Sequence, residues 1–280
     1  MFELKTTLKD IKTDANNRYD SFKIEDISEI DITKIQDEAY IRNSTWLGGD
    51  QKFVCLAFDL DDSSKLSAKK HSKVMAKIYE YSTQSVYDIL MQKDIKADYI
   101  DIKGDGVFAI YSGEKAIEKA FVAGITIKTF FKEVSSKFKA NSINLKCKLS
   151  LDIDKILVKR IGSNKYQNEV WAGHLINNCY KMMGYVKEIR EMNDTDINGN
   201  KLYYNKNIFV ISEDIYNYLD TGKYKKFAIL SCCENELNLW INKATAEIEE
   251  IKGDTVYFTI SDWCDKCGET YANNILGLLV

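Results

Sequence analysis

The chain is 280 residues long, 45% hydrophobic and 29% charged, with a net charge of −3 from 39 basic and 42 acidic side chains. That is enough chain to bury a core as one large domain or two small ones, and the near-balance of charge excludes a strongly basic nucleic-acid binder. Aromatic content of 12% excludes a disordered chain, and no apolar run approaches the ~20 residues of a membrane-spanning helix.

The opening MFELKTTLKDIKTD lacks the apolar stretch of a signal peptide, so a soluble cytoplasmic protein is expected. Residues 1–45 form a polar, mixed N-terminal segment with helical stretches. The pattern then sharpens at KFVCLAFDL, a continuous apolar run of the kind a strand buried on both faces shows. DDSSKLS follows as a helix start, and Ala68 to Met91 carries apolar residues at helical spacing. ADYIDIKGDGVFAIYSG predicts two short strands around a tight Gly-Asp-Gly turn. Ile117 to Phe131 predicts a second amphipathic helix. INLKCKLSLDIDKILVKRI predicts two more strands, and GSNKYQNE a loop. VWAGHLINNCYKMMGYV predicts a third helix entered at Trp171–Gly173, and EMNDTDINGNKLYYNKN a loop. NIFVIS and KKFAILSC close a main body over residues 46–240. A hairpin in ATAEIEEIKGDTVYFTI and a Cys-containing tail occupy residues 241–280.

Strand, helix, hairpin, helix, strand, helix, strand is the order of an α+β, ferredoxin-like (split βαβ) domain with a central antiparallel sheet. It sets the end of the first strand beside the hairpin turn. Asp59 falls at the first of these places and Asp105 at the second. Two carboxylates at neighbouring strand ends suit a pair of hard divalent ions, Mg²⁺ or Mn²⁺, of the kind that serves phosphoryl transfer. Gly104 and Gly106 allow a tight turn and close backbone approach. Backbone N–H groups at Ser63 and Ser64 offer anion contacts at the helix start. Arginine occurs only at positions 18, 42, 160 and 190, and histidine only at 71 and 174. Phosphate chemistry here would therefore lean on lysine, metal and backbone amides. Each Asp alone reads more often as a turn residue at a strand end, and the pairing with a matching topology raises the functional reading; Asp61 and Asp62 read as solvated N-cap residues.

FDLDDSSKLS, KGDGVFAIY and VWAGHLINNCYKM together resemble the class III nucleotidyl cyclases, over about residues 46–240. That family carries an F-x-D-I first strand, a G-D hairpin and a G-x-x-V-N-x-x-x-R helix start. The matching positions here are Asp59–Leu60, Gly104–Asp105, and Gly173, Ile176, Asn177 and Lys181. The resemblance implies that Asp59, Asp105 and the Leu60 carbonyl hold two divalent ions. It implies that Asn177 orients the ribose and Lys181 stabilises the α-phosphate, where the family usually has arginine. It further implies a homodimer with sites at the protomer interface, metal residues from one protomer and the Asn/Lys pair from its partner. Purine cyclases read their base with a lysine three residues before the hairpin Gly-Asp. Here that place is Asp101, with Glu169 near the second base-reading position.

These departures are similar to the pyrimidine cyclases of bacterial Pycsar antiphage defence. They imply conversion of UTP or CTP to a 3′,5′-cyclic monophosphate that acts on a separate effector protein, with no direct nucleic-acid or membrane partner. A purine cyclase with an altered pocket and a catalytically inactive nucleotide-binding homologue are the alternatives. No G-x-x-x-x-G-K-[ST] is present, so a P-loop enzyme is excluded. Gly48–Asp50 reads as a turn, and Arg42 as a phosphate contact or a surface ion pair. Cys55, Cys147 and Cys179 sit on core patterns. Cys264 and Cys267 form a C-x-x-C, but adjacent Cys232-Cys233 is an awkward donor pair, so reduced thiols are expected there rather than zinc.

Overall fold

The computed structural model describes residues 4–26, 30–35, 45–61, 63–139, 145–163, 166–192, 206–220, 228–240, 242–245 and 254–277. The elements begin with α1 (Leu4–Asp20), β1 (Ile24–Asp26), β2 (Trp46–Gly48), β3 (Lys52–Leu60), α2 (Ser63–Lys69) and α3 (Ser72–Leu90). The hairpin β4 (Tyr99–Lys103) and β5 (Gly106–Tyr111) leads to α4 (Ala116–Lys139), β6 (Cys147–Lys155), β7 (Leu157–Ser163) and β8 (Tyr166–Ala172). Then come α5 (His174–Met192), β9 (Ile208–Ser212), α6 (Glu213–Asp220), β10 (Ile229–Cys232) and β11 (Asn235–Asn238). The chain closes with β12 (Asn242–Thr245), β13 (Thr255–Thr259) and α7 (Asp265–Leu276). The chain forms two compact units, one of Lys52–Asp154 with Gly173–Val280 and one of Met1–Gln51 with Lys155–Ala172.

The larger unit is built on a seven-stranded sheet in the order β12-β13-β9-β6-β3-β5-β4. The inner order β6-β3-β5-β4 is the split βαβ arrangement. β3–β5, β4–β5, β9–β13 and β12–β13 pair antiparallel, while β6 and β9 run parallel. That exception follows from the long helical crossover through α5, since parallel neighbours cannot be joined by a tight turn. β3 is buried on both faces, with Phe53 through Phe58 each no more than 2% exposed, which is why its sequence lacks alternation.

α4 packs across the sheet with Phe121, Ile125, Ile127 and Phe131 fully buried. Each such side chain contributes about 1.5–3 kcal/mol of burial free energy. Gly124 lets the Phe209 ring lie against the helix, since a Cβ there would sit 2.4 Å from the ring. Cys55, Cys147 and Cys179 are buried, as their pattern predicts.

In the smaller unit the sheet order is β1-β2-β7-β8. The stretch GSNKYQNE, expected as a loop, instead belongs largely to the β7–β8 ladder, where Gly162 pairs with Gln167 and Ser163 with Tyr166. Its polar composition hides the strand because the turn end of the ribbon is exposed, with Ile161 48% and Tyr166 75% exposed. The second expected loop lies mostly in 193–205, outside the described residues.

Candidate active site

β3 pairs with β5 so that Phe58 faces Val107. One step further along this register sets Asp59 opposite Gly106 and brings the end of β3 to the hairpin turn. Gly104 turns the chain with φ +67°, a backbone region open to glycine at little cost. Asp105 follows it, and its Oδ2 is buried with no hydrogen-bond partner. Lys148, on neighbouring β6, puts Nζ 3.0 Å from Asp59 Oδ2 and 3.9 Å from Asp61 Oδ1, and Lys146 Nζ lies 3.6 Å from Asp61 Oδ2.

Asp61 is therefore not a solvated cap. Its backbone N–H donates to the Lys146 carbonyl at 2.9 Å, which carries the chain on along β6 and leaves its side chain 4% exposed. Asp62 lies outside the described residues. Burial raises the Asp59 carboxyl above its ordinary pKa, Lys148 offsets part of this, and the Asp105 and Asp61 carboxylates push the same way as burial.

Clustered carboxylates with one orphaned buried oxygen are costly alone and fit a hard divalent cation. Asp59 and Asp105 supply side-chain oxygens. Leu60, whose side chain is buried, has a backbone carbonyl at the same strand end. No motif in the sequence marks Lys148. It holds the cluster together electrostatically when no cation is bound. Lys148→Met should cost about 2 kcal/mol, below the usual ~3–5 for a broken buried pair because Asp59 is 31% exposed. Thermal melting in EDTA checks this: a drop of about 5 °C is expected, shrinking when Mn²⁺ is added. A drop of the same size with and without Mn²⁺ would contradict it.

Asp101 lies on β4 and pairs with Lys103 at 2.9 Å. Tyr180, on α5, brings its hydroxyl to 3.7 Å from where a Cβ on Gly106 would stand. Burial, with neighbouring Cys55, Asp59 and Asp101, pushes the Tyr180 phenol well up, so it is a protonated donor at neutral pH. Tyr180 was not selected from the sequence; its signal is that it stands at i+3 from Asn177 on the helix opened by Gly173. Asn177, Tyr180 and Lys181 share one side of α5, while Leu175, Cys179, Met182 and Met183 are buried. Asn177 Nδ2 donates to the Gly173 carbonyl at 3.3 Å and its side chain is otherwise exposed. Among the described residues neither Asn177 nor Lys181 bonds to the carboxylate cluster.

Ser63 and Ser64 open α2, which is only seven residues long. Glu169 belongs to the smaller unit, where it faces Arg160 across the β7–β8 ladder with a 3.4 Å ion pair. Arg42 lies outside the described residues. A cavity of about 280 Å³ lined by Asp152, Asp154, Glu213 and Asp254 opens at the other end of β6. Its carboxylate lining repels a triphosphate. Among the described residues no helix is long and apolar enough to cross a membrane.

No protein-family model matches the sequence. The chain is 30% identical over 231 residues to a uridylate cyclase of Micromonospora echinofusca, covering 80% of this chain and 68% of that protein. It is 26% identical over 284 aligned positions to a uridylate cyclase of Propioniciclava tarda, covering 98% and 80%. Among solved structures, a bacterial light-regulated adenylyl cyclase superposes with TM-score 0.57 at 11% identity, covering 98% of this chain and 70% of that one. A guanylyl cyclase superposes with TM-score 0.55 at 15% identity, covering 78% and 96%. The adenylyl cyclase CyaB from P. aeruginosa gives 0.53 at 13%, covering 76% and 95%. The fold is thus the cyclase fold, and the sequence relation is strong enough to fix the family: this chain belongs to the class III nucleotidyl cyclases, is a nucleotidyl cyclase enzyme, and resembles the Pycsar cyclases.

Proposed function

We propose that this enzyme converts UTP, with CTP as the second candidate, to the 3′,5′-cyclic monophosphate and pyrophosphate. The observation that carries the reading is Asp101. By the resemblance, this acceptor carboxylate stands where a purine-reading lysine donates. It suits a base with a ring N–H, as uracil has at N3, and disfavours adenine, whose N1 is an acceptor. Guanine, which also has a ring N–H, is disfavoured only by the relatives. The two relatives named uridylate cyclase support the same substrate.

Asp59, Asp105 and the Leu60 carbonyl would hold two Mg²⁺ or Mn²⁺ ions, with Asp61 behind them. Bound there, such ions supply charge neutralisation on the triphosphate and a lowered pKa at the ribose hydroxyl. The 3′-oxygen attacks the α-phosphorus in line, its bond to pyrophosphate breaks, and the hydroxyl proton leaves to solvent. Asn177 hydrogen-bonds the ribose near that oxygen. Lys181 puts a positive charge beside the α-phosphate, as a point charge without the bidentate fork of arginine. Ser63 and Ser64 would meet the phosphates through backbone N–H groups. The base-reading role that the resemblance gives Glu169 is tested by Glu169→Ala, which should change the choice among the four NTPs.

By the resemblance, the assembly is a homodimer in which Asn177 and Lys181 of each protomer complete the carboxylate site of its partner; among the described residues neither bonds to the carboxylate cluster. The product would serve as a second messenger in antiphage defence, read by a separate effector protein. Incubation with each of the four NTPs and Mn²⁺, followed by chromatographic separation, tests the reading. Cyclic UMP, or cyclic CMP, is the expected product; product from ATP or GTP alone would overturn it.

A further inference from the structure

Four cysteines that the cyclase site does not use converge at one place. Cys232 and Cys233 end β10 and enter its turn, and Cys264 and Cys267 flank the first turn of α7. Their four sulfurs all lie within 4.8 Å of one another. Cys232 Sγ to Cys233 Sγ is 3.9 Å and Cys233 Sγ to Cys264 Sγ is 3.8 Å. A tetrahedral zinc with Zn–S bonds of ~2.3 Å requires sulfurs about 3.8 Å apart. The spacing is too long for disulfides and too short to enclose a polynuclear iron–sulfur cluster. We propose that Cys232, Cys233, Cys264 and Cys267 bind one structural Zn²⁺ as a closed tetrathiolate site.

The adjacency that makes Cys232-Cys233 awkward in sequence is resolved by the turn between β10 and β11. Cys232 pairs with Asn235, so Cys233 and Glu234 form a two-residue loop, with φ of 48° and 71°. Such a turn normally draws on Asn and Gly, and non-glycine residues there are strained. With this turn the Cys233 thiol stands 3.9 Å from that of Cys232. A backbone amide also points at sulfur. Cys264 N–H donates to Cys232 Sγ at 3.4 Å. Such donors stabilise thiolates and orient metal ligands.

The frame around the site is fixed as well. Lys128 Nζ donates to the Ser261 carbonyl at 2.7 Å, Lys132 Nζ to the Trp263 carbonyl at 2.6 Å, and Trp263 Nε1 to Thr129 Oγ1 at 2.7 Å. The segment leading to Cys264 is thereby clamped to α4. α4 packs against both α7 and β3, the strand that bears Asp59. The ion would staple the β10–β11 hairpin to the start of α7, a structural task separate from the chemistry at the end of β3.

Metal analysis of the full chain, grown with zinc and purified without chelator, tests this. About one zinc per chain is expected, with release of one equivalent when a mercurial blocks the thiols. Cys264→Ser with Cys267→Ser should lower zinc below ~0.1 per chain, and Asp59→Ala should leave it unchanged. Because the serine variant could misfold, the wild-type protein is also exchanged with Co²⁺. Tetrathiolate cobalt then gives its charge-transfer and d–d bands. Wild-type protein holding under ~0.1 zinc per chain and giving no such bands would overturn the proposal. So would iron in place of zinc, or zinc retained by the serine variant.

Discussion

Asp59→Ala should reduce cyclic nucleotide formation by at least ~10³-fold while the protein stays folded. Asp59 is the central member of the cluster, facing Lys148 at 3.0 Å and sharing the strand end with Asp61 and Asp105. On the proposed reading its removal would delete one of the oxygens that hold the divalent ions. The folding cost is small because two effects oppose each other. The Lys148 ion pair is lost, but repulsion from Asp61 and Asp105 is relieved and a half-buried carboxylate no longer needs desolvation. A net change within about 1 kcal/mol is expected, read as a melting temperature close to wild type. Asp105→Ala should show the same loss of product. Turnover within tenfold of wild type in either variant would remove that residue from the mechanism.

Mixing two inactive variants should restore activity. Asp59→Ala damages the metal half of a site and Lys181→Ala the partner-donated half. If protomers exchange freely, half of the dimers are mixed. In each mixed dimer one site carries both substitutions and the other carries neither. About a quarter of all sites are then intact, so an equal mixture should recover about a quarter of wild-type turnover. No recovery, with exchange verified by a labelled protomer, would contradict the shared-site assembly and place both residues in one chain's site.

The legibility of this protein follows from how local each signal is. KFVCLAFDL announces a buried strand by itself, and KGDG announces its own turn, so the positions of Asp59 and Asp105 could be read directly. Lys146 stands just before β6 and Lys148 on it, beside β3, and nothing in KCKLS reveals that pairing before the sheet order is known. Asp61 looks like a cap because it follows a strand and precedes a helix. Only its bond to the Lys146 carbonyl shows that it turns inward. The two cysteine pairs are 31 residues apart, and they meet because an unusual turn of two non-glycine residues aims both thiols one way. The smaller unit joins Met1–Gln51 to the β7–β8 ribbon, a grouping that no linear scan of composition detects.

The account stands on divalent cations bound by the carboxylates at the end of β3. It is tested most directly by titrating Mn²⁺ into the protein with a 3′-deoxy pyrimidine triphosphate that cannot react, following the free ion by electron paramagnetic resonance. Wild-type protein should remove about two Mn²⁺ per chain beyond what the same nucleotide binds without protein, and Asp59→Ala and Asp105→Ala should bring that excess close to zero. Superimposable titrations of wild type and both variants would contradict it.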